Sequence, residues 1–135
     1  MLPLAIAAAL VVSAATAQTP DQFDLVCTGT ETKVVSSKVD GADLFTNEYR
    51  IDLKSKLYCG GQCKRTYDID GPVTGTVIVL TDHDDGRIAT HLKIDRTTGE
   101  VTEDFFITSF GLKNGNYVEG TCKPAPFTPL PAPMF

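Results

Sequence analysis

Apolar and charged side chains alternate along residues 45–59. Tyr49 and Ile51 occupy odd positions in this segment, whereas Arg50 and Asp52 occupy the even positions beside them. A repeat of two places successive side chains on opposite faces of an extended chain, so one face is buried and the other is in water. A helix with this sequence would spread the charges around its whole circumference. The pattern therefore predicts an antiparallel strand with one face in a core, and Lys54-Ser55-Lys56 is a candidate short turn within the segment.

Other segments have the same strand-like composition, and hairpin-type turn residues separate them. The further predicted strands are residues 23–27, 67–69, 73–80, 88–95, 101–110 and 117–123. The turn signals are Asp40-Gly41, Asp70-Gly71-Pro72, Asp85-Gly86, Thr98-Gly99 and Asn114-Gly115. Residues 30–39 fit either a strand or a loop. We therefore predict an all-β fold, an antiparallel meander of about eight strands that forms a small barrel or a two-sheet sandwich.

The chain has four cysteines, which allow three pairings. We favour Cys27–Cys122, which would join the first and last strands and stabilise the fold by about 4–5 kcal/mol through loop entropy. We also favour Cys59–Cys63, because two glycines between these cysteines permit a tight loop. A zinc half-site and a redox pair are the alternatives at Cys59 and Cys63. The zinc site would lack its other two ligands. The redox pair would lack the usual Cys-x-x-Cys spacing.

The first residues have the form of an export signal. Residues 1–17 contain no charged side chain, and their apolar run ends in Ala15-Thr16-Ala17, a small-x-small cleavage site. We expect a signal peptide over residues 1–17, a single β domain over residues 18–123 and a proline-rich tail over residues 124–135. Retention of the apolar run as an anchor is the alternative. The expected location is periplasmic or secreted, where paired cysteines oxidise.

The formal net charge of −5 limits the classes of partner. Binding to nucleic acid needs a basic stripe that displaces counterions, and an acidic chain does not supply one. The charge also gives no reason to expect binding to anionic lipid. We therefore expect an unknown protein or a small ligand as partner, no nucleic acid, no cofactor and no transmembrane segment in the mature chain.

The most acidic motif is Asp82-His83-Asp84-Asp85-Gly86, at a predicted hairpin tip. It does not fit a calcium loop, because Thr81 and Leu92 would fall where the first and twelfth ligands belong. We favour a solvated tip over a weak cation site. The chain also lacks the Gly-x-Ser-x-Gly motif of a serine nucleophile. The sequence therefore predicts no catalytic residue, no metal ligand and no enzyme.

Four basic side chains flank the Cys59–Cys63 loop in an otherwise acidic chain. They are Lys54, Lys56, Lys64 and Arg65. Such a group is a candidate contact for an acidic partner, while the alternative is an ordinary solvent-facing surface.

Several short motifs together resemble a group of small exported bacterial proteins with an all-β domain. The motifs are Phe23-Asp24-Leu25-Val26-Cys27, Tyr49-Arg50-Ile51-Asp52-Leu53, Tyr58-Cys59-Gly60-Gly61-Gln62-Cys63, Ile94-Asp95-Arg96-Thr97-Thr98-Gly99 and Gly120-Thr121-Cys122 followed by Pro126-Phe127. The resemblance implies an exported β domain and no particular reaction. A looser likeness to lysozyme inhibitors and lipocalins is architectural only, and the chain has no Trp for the Gly-x-Trp start of a lipocalin.

Three hypotheses for function follow. The first is an exported, non-enzymatic domain that binds a protein or a small ligand in the cell envelope. The second is an inhibitor-like module that acts on a lysozyme or a protease through the Cys59–Cys63 loop. The third is a weak hydrolase that uses the acidic hairpins, through Asp82, Asp84 and Asp85.

Overall fold

The computed structural model describes residues 20–132, which contain eight β-strands. The strands are β1 (Gln22–Val35), β2 (Lys38–Asp52), β3 (Leu57–Gly60), β4 (Tyr67–Asp68), β5 (Val77–Asp84), β6 (Ile88–Asp95), β7 (Glu100–Ser109) and β8 (Leu112–Ala125). The predicted signal peptide, residues 1–17, lies outside the described residues, as do the last three residues of the predicted tail. No helix in the described part of the chain has the length and apolarity needed to cross a membrane.

The eight strands form one antiparallel sheet in the order β4-β3-β2-β1-β8-β7-β6-β5. The chain just after β4 then bonds to β5, at the other end of that order. The amide of Asp70 donates to the carbonyl of Leu80 at 3.2 Å, and the amide of Val79 donates to the carbonyl of Pro72 at 2.9 Å. These bonds make the sheet a nearly closed barrel. The predicted all-β meander is thus confirmed, and the barrel replaces the sandwich.

The alternation in β2 places its apolar side chains inside the barrel. Tyr49 and Ile51 are buried, whereas Arg50 and Asp52 between them are partly exposed. Every strand from β1 to β3 and from β5 to β8 contributes buried apolar side chains. The core consists of Phe23, Leu25, Cys27, Tyr49, Ile51, Tyr58, Ile69, Ile78, Leu80, Leu92, Ile94, Val101 and Cys122. Side chains therefore fill the middle of the barrel.

Both favoured disulfides are confirmed. Cys27 lies directly opposite Cys122 in the β1–β8 pair, so the first bond joins neighbouring strands across a separation of 95 residues. The second bond, Cys59–Cys63, closes a loop immediately after β3. The described residues contain no free cysteine.

Three of the predicted turns are wrong. At Asp70-Gly71-Pro72 the chain does not reverse but bonds to β5, and it turns back within residues 74–77, where the amide of Thr74 donates to the carbonyl of Val77 at 2.8 Å. The predicted strand over residues 73–80 therefore contains this turn, and β5 begins at Val77.

The other two turns are wrong because the strand register overrides the local turn preference. The chain reverses at Ser36 and Ser37, and β2 runs through Asp40-Gly41 with an irregularity in the pairing. A turn at Asp40-Gly41 would place Ile51 opposite Thr30. The observed register places Ile51 opposite Phe23, so two core side chains meet.

The β7–β8 hairpin shows the same kind of error. The turn lies at Phe110 and Gly111, whose φ angles are 52° and 74°. Asn114-Gly115, the predicted turn, is instead part of β8. Positive φ at both central positions is the geometry of a two-residue hairpin turn, which Phe adopts at a cost and Gly adopts freely.

β8 extends two residues into the predicted tail, and residues 126–132 form no strand or helix. Thr128 bonds to the carboxylate of Asp24 through its amide at 3.1 Å and its hydroxyl at 2.6 Å. Arg50 donates to the carbonyl of Pro129 at 3.1 Å. This part of the tail therefore lies against β1 and β2.

Candidate functional site

The outer edge of β2 is the most distinctive surface of the barrel. β2 has fifteen residues, but β3 pairs only with its last four, Tyr49–Asp52. Within the described residues, residues 38–47 have β1 on one side and no strand on the other. The pairing with β1 is regular from Gly41 to Asn47, on the barrel side of the irregularity at Asp40. We call residues 41–47 the free edge.

Alternate backbone groups along the free edge face outward. The carbonyl of Glu48 accepts a hydrogen bond from the amide of Gly61, on the β3 side of β2. Because the backbone of a strand repeats every two residues, the amides and carbonyls of Ala42, Leu44 and Thr46 point to the same side. These groups form a template for one more strand.

At Asn47 the outer edge of β2 begins to bond to the loop that follows β3. Its side-chain Oδ1 accepts hydrogen bonds from the amide of Glu48 at 2.8 Å and from the amide of Gly61 at 3.0 Å. Gly61 has a φ of 61° and lies inside the Cys59–Cys63 loop, so the disulfide turns the chain away from β2 here. The free edge therefore ends beside the disulfide loop.

Exposed apolar side chains gather near the tips of the β1–β2 and β7–β8 hairpins, at the end of the molecule where the free edge begins. The two tips are joined, because the amide of Ser37 donates to the carbonyl of Lys113 at 2.8 Å and the amide of Lys113 donates to the Ser37 hydroxyl at 2.9 Å. We call the four apolar residues around these tips the apolar end. They are Val35, Val39, Phe110 and Leu112.

Phe110 is the most unusual member of the apolar end. Its side chain is fully exposed, and its φ of 52° lies in the left-handed region, which a bulky residue adopts only at a cost of about 1 kcal/mol or more. Asparagine or glycine would fit this turn position better. The left-handed backbone and the full exposure together make Phe110 a candidate contact residue.

The barrel interior becomes polar on the side that leads to the apolar end. The hydroxyl of Tyr49 donates to the Glu103 carboxylate at 2.9 Å, and the side-chain amide of Asn116 donates to Glu31. Burial is the main cause that raises the pKa of Glu103, and nearby Glu31 adds to the shift. Burial and the neighbouring Glu103 carboxylate likewise raise the pKa of Tyr49. Glu103 lies on the same face of β7 as the buried Val101, and its side chain therefore points inward.

Glu103→Gln is expected to stabilise the protein at neutral pH and to have little effect at pH 3.5. A raised pKa in the folded state means that ionisation of Glu103 lowers the free energy of unfolding as the pH rises above the ordinary value of 4.5. Glutamine removes this loss and still accepts the Tyr49 hydrogen bond. Urea unfolding of both proteins at pH 3.5 and 7.5 measures the difference.

The exposed Glu119 on β8 provides the matched control for this variant. Glu119→Gln should change the free energy of unfolding by the same small amount at both pH values. If Glu103→Gln were no more stable than the wild type at pH 7.5, the inferred burial of an ionised carboxylate would be contradicted.

The acidic hairpin tip is exposed, and two of its carboxylates bond to the turn. Asp84 accepts from the amide of Gly86 at 2.9 Å, and Asp85 accepts from the amides of Arg87 and Ile88. The backbone hydrogen bonds from Ile88 and Arg87 lower the pKa of Asp85. In the described part of the chain, no three His, Cys, Asp or Glu side chains are arranged to hold a metal ion.

His91 lies between two carboxylates on the outer face of the barrel. Its Nδ1 is 2.7 Å from Asp104, and its Nε2 is 3.3 Å from Asp82. The hydrogen bond to Asp104 is the main cause that raises the pKa of His91. The arrangement favours the protonated ring as an ion-pair partner that links β5, β6 and β7.

The structure divides the four basic candidate residues between the two ends of β3. Lys54 and Lys56 lie in the turn before β3, and Lys64 and Arg65 follow Cys63. Seven residues separate the two pairs, the four of β3 and the three that follow it in the disulfide loop. Arg65 also donates to the hydroxyl of Tyr67 at 2.8 Å and lies over its ring.

Comparison with family models, with curated proteins and with solved structures gives no match for the chain. The candidate site therefore stands on the geometry of this chain alone.

Proposed function

We propose that this chain is an exported, non-enzymatic domain that binds a protein partner by adding an extended segment of that partner to the free edge. The observation that carries the proposal is the row of outward backbone groups at residues 41–47. Strand addition uses main-chain hydrogen bonds for affinity and side-chain contacts for specificity.

The dimensions of the free edge suit this mode of binding. Seven residues of strand span about 23 Å, which is slightly longer than a typical strand in a globular protein. The irregularity at Asp40 limits regular pairing at one end, and Asn47 with the disulfide loop limits it at the other. The partner segment would therefore have a defined length and register.

Apolar contacts are available along and beyond the free edge. Leu44 is 81% exposed, in the middle of the edge, and Val39 is 68% exposed, just before it. Phe110 and Leu112 extend the apolar surface at the joined hairpin tips. A partner segment that follows the edge could bury these side chains, each of which would contribute to affinity.

The charge of the site favours a basic partner segment. Around the free edge, Lys38 is outnumbered by Asp40, Asp43 and Glu48, and the whole chain has a formal net charge of −5. Lys33 already pairs with Asp43 at 3.3 Å. Opposite charges would speed association, and two copies of this acidic edge would repel each other.

A synthetic basic peptide of four Lys-Val repeats is the probe for this proposal. Its binding should slow hydrogen exchange at the amides of Leu44 and Thr46, while a peptide of four Glu-Val repeats should not. Leu44→Pro should weaken binding of the basic peptide at least tenfold, because it removes a donor on the outer edge and leaves the bonds to β1 in place. Leu44→Thr, which keeps the amide, is the matched control.

Three outcomes would contradict the proposal. One is the absence of protection at Leu44 and Thr46 with the basic peptide. Another is equal binding by Leu44→Pro and Leu44→Thr. The third is protection of the same amides without any peptide in a protein that sediments as a dimer, which would make a second copy the occupant.

The inhibitor-like hypothesis has one supporting observation. The Cys59–Cys63 loop borders the free edge through the bonds that Gly61 makes to Asn47 and Glu48. A target enzyme that engaged the loop alone would be inhibited equally by wild type and by Leu44→Pro. Loss of inhibition in Leu44→Pro would place the contact on the free edge.

A further inference from the structure

A second site lies at the opposite end of the barrel from the apolar end. A cavity of about 230 Å³ opens there between the start of β1, the β6–β7 turn and the end of β8. Its lining is mostly apolar, and the inner wall belongs to the barrel core. The apolar part consists of Pro20, Phe23, Leu25, Ile78, Ile94, Cys122 and Pro124.

The volume suits a ligand of moderate size. An apolar cavity of about 150 Å³ accepts benzene, so 230 Å³ accepts a ring with a short substituent. The cavity is too small for a long acyl chain or a fused-ring lipid, because drug-sized ligands need about 300 Å³ or more.

In the part of the chain that the structure describes, Arg96 is the one cationic residue that lines the cavity. Its Nη1 donates to the carbonyl of Thr74 at 2.8 Å, and its amide donates to the carbonyl of Thr76 at 2.7 Å, so the side chain and its backbone are anchored beside β5. Among residues 20–132, Arg96 forms no ion pair with a carboxylate. The remaining guanidinium donors are thus available to an anion.

Asp95, the carboxylate next to Arg96 in the lining, does not occupy the guanidinium of Arg96. Asp95 accepts hydrogen bonds from the amides of Thr97 and Thr98 at 2.8 and 3.0 Å, which hold the β6–β7 turn. These backbone bonds lower the pKa of Asp95. The cavity rim therefore carries one carboxylate and one guanidinium. Asp95 is bonded to its own turn, and the guanidinium of Arg96 keeps donors that can bind an anion.

We propose that this cavity binds a small monocarboxylate whose apolar body is a single ring or a short branched chain. The body occupies the space beside Phe23, Ile78 and Ile94, and the carboxylate pairs with the guanidinium of Arg96. The site is independent of the free edge, so either proposal can fail without the other.

Phenylacetate is the probe, and amide chemical shifts of the labelled protein are the readout. Saturable shifts should centre on Ile78, Ile94, Gly99 and Cys122, with a Kd of about 0.1–1 mM for a ligand of about ten non-hydrogen atoms. Arg96→Gln should weaken phenylacetate binding about tenfold through loss of the charge-assisted bond. The neutral analogue phenylacetamide should bind wild type and Arg96→Gln with the same affinity.

Arg87→Gln is the matched control, because Arg87 precedes the opposite end of β6 and its loss changes the net charge equally. It should leave phenylacetate binding unchanged. The proposal is overturned if phenylacetate causes no saturable shifts up to 10 mM, if the shifts map outside the cavity, or if Arg87→Gln and Arg96→Gln weaken binding to the same extent.

Discussion

Replacement of Cys27 and Cys122 together by alanine is expected to lower the free energy of unfolding by about 4–5 kcal/mol. The disulfide closes a loop over a separation of 95 residues, and the loop-entropy relation gives this magnitude for a loop of about that length. Both cysteines are also buried in the core, so their sulfur atoms contribute packing. Guanidinium chloride unfolding of the variant and the wild type measures the loss.

Alanine at both Cys59 and Cys63 is the matched control. This disulfide has a separation of four residues, for which the same relation gives about 2 kcal/mol. An equal loss in the two variants, or a larger loss for Cys59 and Cys63, would mean that the long-range bond does not fix the barrel.

Gly29→Ala is expected to destabilise the protein by about 3 kcal/mol or more. β1 and β8 approach so closely at this point that a Cβ on Gly29 would lie 2.5 Å from the Cα of Gly120, with the carbonyl of Glu119 nearer still. Backbone atoms on both strands would have to move, and the nearby disulfide between Cys27 and Cys122 resists that movement. Thermal or urea unfolding measures the effect.

Gly41→Ala is the control for the glycine variant, because a Cβ there meets no atom within 4 Å. It should change the free energy of unfolding by less than about 0.5 kcal/mol. A Gly29→Ala protein as stable as Gly41→Ala would contradict the close contact of β1 with β8.

The sequence predicted the fold class because its strongest signal, the alternation of apolar and charged side chains, is local. Alternation around Tyr49 and Ile51 requires only a neighbouring core, and the barrel provides it. The disulfide pairing followed from the placement of Cys27 and Cys122 near the two ends of a meander. The turns at Asp40-Gly41 and Asn114-Gly115 failed because core pairing, which is not local, decides the register.

The free edge could not be predicted because it depends on a difference in length between neighbouring strands. β3 ends at Gly60, inside the Cys59–Cys63 loop, and eleven of the fifteen residues of β2 lie beyond its pairing with β3. The sequence left residues 30–39 undecided between strand and loop, so the length of the β1–β2 hairpin was unknown. The sequence likewise indicated no role for Arg96, because the cavity beside it forms only when the start of β1 and the end of β8 come together.

Amide hydrogen exchange of the isolated protein along residues 42–47 tests the free edge most directly. The amides of Ala42, Leu44 and Thr46 should exchange rapidly, whereas those of Asp43, Phe45 and Asn47, which face β1, should be protected. Slow exchange at all six amides would show that another strand already covers β2, and a partner could not then add to it.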